Sequence, residues 1–169
     1  MRASVRPPSL LALPSYLLSQ LSKFGRRELE TALAERDLAL IHHGVLAALA
    51  DFGPRSQQEL ADSLDFDKSH LVAHIDRLEE RGFLKRTRDP SDRRRNQLTL
   101  TPDGRALVDE LQRVGRRSDQ GFLDALSAAE QRTLISLLRR VVEANDAVRQ
   151  GAGSTRAGRK RSKSRRSTS

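Results

Sequence analysis

The stretch from Ser56 to Thr101 constrains the fold of this chain more than any other: two short helices with their own start signals, then a basic hairpin. Ser56 with Glu59 three residues on is a capping box, in which the serine hydroxyl accepts a first-turn N–H and the glutamate reaches back to the serine N–H. A helix therefore starts at Gln57. Leu60, Ala61 and Leu64 give it one apolar stripe, Asp65-Phe66 breaks the pattern, and Asp67 is a good N-cap for a second helix after a turn of about three residues. Leu71, Ile75 and Leu78 repeat at spacings of four and three, which assigns one face of that helix to a core and leaves Lys68, Ser69, His70 and Ala73 on the free face. Gly82 ends it. A short helix, a tight turn and a second helix with a polar N-terminal half match the geometry that places a reading helix in the DNA major groove. The same pattern also occurs in ordinary helical bundles, so the next segment has to discriminate.

Phe83 to Arg88 and Asn96 to Thr101 alternate like strands, with Leu98 and Leu100 on one side and Gln97 and Thr99 on the other, around a loop containing Pro90. Six of the nineteen residues from Phe83 to Thr101 are basic, against Asp89 and Asp92. Arg93, Arg94 and Arg95 stand in succession on the tip. Like charges so close repel, and an anion offsets that cost, so a phosphate or a narrow minor groove suits them better than water alone. The alternative is a solvated charged hairpin. The fold class expected is mainly α with a small β-hairpin wing, a winged helix-turn-helix. Ser56, Gln57, Lys68, Ser69, His70, Ala73, Arg77, Arg86, Arg88, Arg93, Arg94 and Arg95 are the candidate DNA contacts.

The runs Glu59-Leu60-Ala61, Ile75-Asp76-Arg77-Leu78-Glu79-Glu80-Arg81-Gly82-Phe83-Leu84, Asp89-Pro90-Ser91-Asp92-Arg93-Arg94 and Leu98-Thr99-Leu100-Thr101-Pro102-Asp103-Gly104 resemble the MarR family of bacterial transcription regulators. The resemblance covers about residues 15 to 148. It implies an obligate homodimer, a wing shaped by Asp92 pairing with basic residues, and a wing-tip Arg94 in the minor groove. It also implies an effector cleft near the first helices, where Phe24, His42 and His43 are candidate contacts for a small anionic or aromatic molecule whose binding releases the operator. One departure stands out: positions often Thr-Arg in the family are Val72-Ala73 here, which shifts base reading onto Ser69, His70 and Lys68.

The flanking segments suit a dimer. Pro14-Ser15 opens a helix in which Leu17, Leu18, Leu21, Phe24, Leu29, Ala32 and Leu33 supply a broad apolar surface, although Gly25 weakens its middle. A second helix runs from about Leu40 to Asp51. Thr101-Pro102 starts another, with proline where a missing N–H costs nothing, and it extends to about Ala125. Ser127 and Glu130 form a second capping box ahead of a last helix apolar on more than one side through Leu134, Ile135, Leu137, Leu138, Val141 and Val142. Terminal helices with more apolar surface than a small domain can cover point to intertwining with a second copy. The expected division is a flexible N-terminus over 1–14, a domain over 15–148 with the winged helix at about 38–101 and dimerisation helices at about 15–36 and 102–148, and a disordered basic tail over 149–169.

Charge supports this division. The chain of 169 residues carries a formal +9, but residues 149–169 hold eight Lys/Arg and no acid, so the body has 23 basic against 22 acidic residues, a net +1. A Gly, Ser and Arg tail of that kind is too polar to fold alone and suits sequence-independent phosphate contacts, or serves only as a solubilising terminus. With no cysteine there are no disulfides, thiolate metal sites or thiol-based oxidation sensing. Arg2 and Arg6 ahead of Leu10 to Leu13 imitate a signal peptide only faintly, because the apolar run is four residues and no small-residue cleavage site follows. No run approaches a membrane span. The expected location is the bacterial cytoplasm, on the nucleoid.

His70 and His74, four apart with Asp67 a turn earlier, make a candidate metal stripe, but His70 falls on the exposed half and His74 on the margin of the apolar face, so DNA contact and packing suit them better. His42 and His43 are neighbours and point about 100° apart, so they cannot easily share a metal; the alternative to ligand contact is a packed histidine bonded to backbone. No metal and no cofactor are expected. Ser, Asp and His are present without a nucleophile elbow, phosphate-cradling glycine loop or paired carboxylates at a strand end, so no enzyme is expected. The function expected is sequence-specific regulation of transcription on double-stranded DNA carrying an inverted repeat, as a repressor released by a ligand. A nucleoid-type protein that coats DNA through wing and tail is the competing class, and a winged helix that has turned to protein partners is a third.

Overall fold

The structure is a computed structural model that describes residues 5–88 and 96–164, with side chains described through Val148. In chain order it contains α1 (Pro8–Leu11), α2 (Pro14–Ala34), α3 (Leu40–Phe52), α4 (Gln57–Ser63), α5 (Lys68–Glu80), β1 (Leu84–Arg88), β2 (Asn96–Leu100), α6 (Pro102–Leu123) and α7 (Ala128–Ser164). The chain divides into two compact units, Met1–Phe122 and Leu123–Ser169.

The first unit is built on one apolar cluster to which every major element contributes. Leu29 and Leu33 of α2, Val45, Leu46 and Leu49 of α3, Leu60 and Ala61 of α4, and Leu71, Ile75 and Leu78 of α5 meet Leu84 and Leu98 of the hairpin and Leu107, Val108 and Leu111 of α6. Each fully buried leucine contributes roughly 2 kcal/mol of transfer free energy, so α5 is held by the same stripe that makes it amphipathic. Gly25 is also a close-packing position. Ser118 Oγ donates to the Gly25 carbonyl at 3.2 Å, and a Cβ at residue 25 would stand 3.0 Å from the Phe122 ring.

Local signals set the boundaries of the helix-turn-helix. Ser56 caps α4, with its Oγ accepting from Glu59 N at 3.3 Å while Ser56 N donates to Glu59 Oε2 at 2.8 Å. Asp67 caps α5, accepting from Ser69 N at 2.7 Å. Between them Asp65 adopts φ +51°, a left-handed conformation that aspartate tolerates better than most residues. Gly82, at φ +75°, closes α5. The helix α3 has no polar cap side chain of the usual kind; instead the Ala39 N–H is taken by His42 Nδ1 at 2.7 Å.

The two strands pair antiparallel in the register Leu84↔Leu100, Arg86↔Leu98 and Arg88↔Asn96. Residues 84, 86, 98 and 100 therefore share one face of the hairpin, and Leu84 and Leu98 are buried there. Arg55 adds a one-residue third strand, exchanging both backbone bonds with Leu98 at 3.2 and 2.7 Å. At the far side Thr101 Oγ1 donates to the Gly82 carbonyl at 2.6 Å and accepts from Gly104 N at 3.0 Å. This packs the first turn of α6 so tightly that a Cβ at residue 104 would lie 1.9 Å from the Phe83 carbonyl oxygen, leaving room only for glycine.

The second unit is α7 with its Ser127–Glu130 capping box, Ser127 N donating to Glu130 Oε2 at 2.8 Å. The hydrogen bonds from Ser127 hold the Glu130 carboxyl below the ordinary carboxylate range. Within the N-terminus expected to be flexible, residues 8–11 form a helical turn that Pro8 opens. The backbone of α7 runs on through Ser164, into the basic tail. The strands are shorter than expected by one residue at each outer end, and α6 ends at Leu123.

Candidate nucleic-acid interface

Lys68, Ser69, His70 and Ala73 are all exposed along the first half of α5. Beside them lies an open groove of about 710 Å³, bordered by Arg55, Gln57, Lys68, Arg86, Asn96 and Gln97, between the starts of α4 and α5 and the strand β2. Ser56 also borders the groove, but its hydroxyl donates to Glu59 at 2.8 Å and serves as a cap. Ser69 is partly committed as well, since its hydroxyl donates to Asp67. Hydrogen bonds from the Ser69 side chain first, and then from its backbone, hold the Asp67 carboxyl below its ordinary range, so Asp67 stays charged at the helix start. Lys68 and His70 are the other exposed polar groups on this edge. Arg88 is exposed at the end of β1.

Two of the arginines expected on DNA, Arg77 and Arg86, have acidic protein partners. Arg77 binds Asp37 in the loop between α2 and α3, and Glu80 at 3.7 Å. Arg86 stands on the inward face of the hairpin, where its Nη1 binds Glu79 and its Nη2 binds Asp76, both on the last turns of α5. The Arg86 backbone N–H also donates to Glu79 Oε1, at 3.0 Å. Asp92, Arg93, Arg94 and Arg95 lie outside the described residues. Arg55, Asn96 and Gln97 border the groove without having been singled out from sequence; only the pairing of Arg55 with Leu98 brings them together.

The residues expected around an effector are placed differently from one another. His42 is buried, and with Nδ1 accepting from Ala39 its proton sits on Nε2, 3.1 Å from His74 Nδ1. A chain of Ala39 N–H to His42 to His74 follows, with the two rings edge-on at 4.9 Å and Phe66 against His74. Burial first, and repulsion from His74 second, lower the His42 pKa to about 4. Both ring nitrogens thus have protein partners, as in the packed histidine that was the alternative to ligand contact, and His42 joins α3 to α5. His43 is half-buried, and desolvation lowers its pKa, so it is neutral at ordinary pH. Phe24 is exposed on α2 with the Arg6 guanidinium 5.9 Å above its ring. The proposed metal stripe meets the same fact: His74 is bonded to His42, whereas His70 is exposed. Among the described residues no helix is long and apolar enough to cross a membrane.

Comparison with known proteins gives this geometry its context. A model of the MarR family matches residues 36–95. A putative transcriptional regulatory protein for the hcr operon of Thauera aromatica is 39% identical over 99 residues, 59% of this chain and 60% of that protein. The HTH-type transcriptional repressor NicR of Pseudomonas putida is 31% identical over 109 residues, 64% of this chain and 69% of its own. Among solved structures, the transcriptional repressor CouR bound to a 23-mer DNA duplex superposes with a TM-score of 0.70 at 30% identity, over 83% of this chain and 99% of that one. CouR from Rhodococcus jostii RHA1 has also been solved bound to p-coumaroyl-CoA, and matches with a TM-score of 0.70 at 25% identity over 83% of this chain and 96% of that one.

Proposed function

Because this chain belongs to the MarR family, we propose that it is a homodimeric, sequence-specific repressor of transcription, released from its operator by a small anionic or aromatic molecule. The observation that carries the reading is the exposed first half of α5, with Lys68, Ser69, His70 and Ala73 standing beside a groove that Arg55 and Gln57 border. Two such helices, one per subunit, enter successive major grooves about one helical turn apart, and the wings, including Arg88 and Arg93 to Arg95, flank them in the minor groove. The protein acts in the cytoplasm on chromosomal DNA, and its role is binding rather than catalysis.

The dimer reading is supported by apolar side chains that neither unit covers by itself. Leu17, Leu18 and Phe24 on α2 are exposed, as are Ile135, Leu137, Val141, Val142 and Val148 on α7. A second copy buries them. Since His42 is engaged, the effector contacts narrow to Phe24 and the neutral His43. CouR is a repressor solved both with DNA and with an acyl-CoA, which favours the ligand-released scheme.

The coating alternative is favoured by one feature, the eight basic residues and no acid of residues 149–169. Binding of the full chain, and of the chain lacking residues 149–169, to a duplex from its own upstream region and to a scrambled duplex separates the two. A regulator keeps a preference of ~10³-fold or more after truncation. A coating protein shows no preference, and its affinity collapses with the tail.

A further inference from the structure

Resting on the reading of α5 as the DNA-reading helix, we propose that Arg86 is a positioning residue that fixes the wing on the reading helix through Asp76 and Glu79, so that operator recognition depends on these two acids. Arg86 borders the groove, and a sequence of basic residues invites its assignment to phosphate. Three observations place its role elsewhere. The register puts residue 86 on the hairpin face that also carries the buried Leu84 and Leu98, turned toward the protein rather than away from it. Both terminal guanidinium nitrogens are occupied, one by Glu79 and the other by Asp76, with the arginine side chain only 30% exposed. The backbone N–H of the same residue is held by Glu79 at 3.0 Å, so the clamp grips strand as well as side chain.

Charge decides what an approaching phosphate meets. One guanidinium and two carboxylates sum to −1, so this cluster repels DNA unless Arg86 leaves its partners, and leaving them would strand two acids beside the duplex. The clamp instead sets geometry. Asp76 and Glu79 are three apart on one face of α5, and a planar fork of donors spanning them resists rotation of the hairpin about the helix in a way that a single contact cannot. The distance between reading helix and wing tip is what lets one subunit engage a major and a minor groove together.

Two variants give opposite outcomes for the two roles. DNA selected from a random pool by the full chain serves as the specific probe, a scrambled duplex of equal length as the other, each titrated over a series of salt concentrations. In Arg86→Met the preference for the selected duplex falls at least ~10-fold while the slope of log affinity against log salt stays unchanged; a phosphate contact would lower that slope by ~0.9 for each contact, near 2 per dimer. Asp76→Asn combined with Glu79→Gln removes two negative charges per subunit and frees the arginine. The clamp reading expects weaker operator binding despite the gain in positive charge, and Arg86→Lys, which keeps one charged bond, falls between wild type and Arg86→Met. Stronger operator binding by the double variant, or a reduced slope in Arg86→Met, overturns the proposal, and thermal melts confirm that the compared proteins are folded at the assay temperature. If the full wild-type chain enriches no sequence from the pool, the repressor reading itself fails.

Discussion

Lowering pH should destabilise this protein through His42, and the structure gives both the window and the sign. The ring is 5% exposed, accepts a hydrogen bond from Ala39 N–H at 2.7 Å and faces His74 at 3.1 Å, and its pKa lies near 4. An unfolded histidine titrates near 6.5, so between about pH 6.5 and 4 the unfolded chain binds a proton that the folded chain refuses. Stability is therefore complete above pH 6.5, declines as pH falls through that interval, and stops declining from this cause below about 4. A separation of about 2.5 units corresponds to about 3 kcal/mol. His42→Gln keeps an acceptor for Ala39 N–H but cannot ionise. Urea unfolding followed by circular dichroism, at fixed protein concentration and ionic strength from pH 7.5 to 4, should show the stability difference between wild type and variant shifting by about 3 kcal/mol toward the variant as pH falls. Background titration of groups that do not touch His42 cancels in that difference. A difference that stays flat across the interval refutes the buried, proton-refusing state of His42.

Other substitutions probe separate links. Gly104→Ala drives a methyl into the Phe83 carbonyl, backbone against backbone, and should cost about 3 kcal/mol or more, seen as a large drop in melting temperature. Ser56→Ala removes the N-cap of α4 and should cost about 1 kcal/mol in urea unfolding, where no change in midpoint would deny the cap its role. Lys68→Ala should weaken binding to selected and scrambled duplexes alike and reduce the salt slope by about 1 per subunit, whereas His70→Ala should alter which bases are preferred, with a discrimination loss of about 1–3 kcal/mol at one position of each half-site. Equal losses on both duplexes for His70→Ala would place His70 on the backbone instead.

The helix-turn-helix was legible residue by residue because its signals act within one turn of chain. Ser56 needs only Glu59, Asp67 only Ser69, and Gly82 only its own φ to start or stop a helix. The apolar periods of α4 and α5 likewise state which faces are buried, and Leu60, Leu71, Ile75 and Leu78 are buried accordingly. The alternation of the hairpin even contained the orientation of Arg86, since it shares the parity of Leu84, but a count of basic residues hides that parity. For α7 the composition of the tail speaks only to folding alone, and the helix that Ser127 and Glu130 start continues into it.

What the sequence determined by itself was the set of elements, their caps and the free face of α5, all of them consequences of interactions between residues two to four apart. What only the tertiary structure decided was the employment of each charged or titratable side chain. Arg77 meets Asp37 forty residues away, His42 meets His74 thirty-two residues away, and Arg86 turns to Asp76 and Glu79 rather than to solvent. The physical reason is range: an ion pair or a hydrogen bond depends on which groups come within about 4 Å, and burial by distant segments sets its strength, so the same arginine is a phosphate contact or a clamp according to what the fold brings beside it.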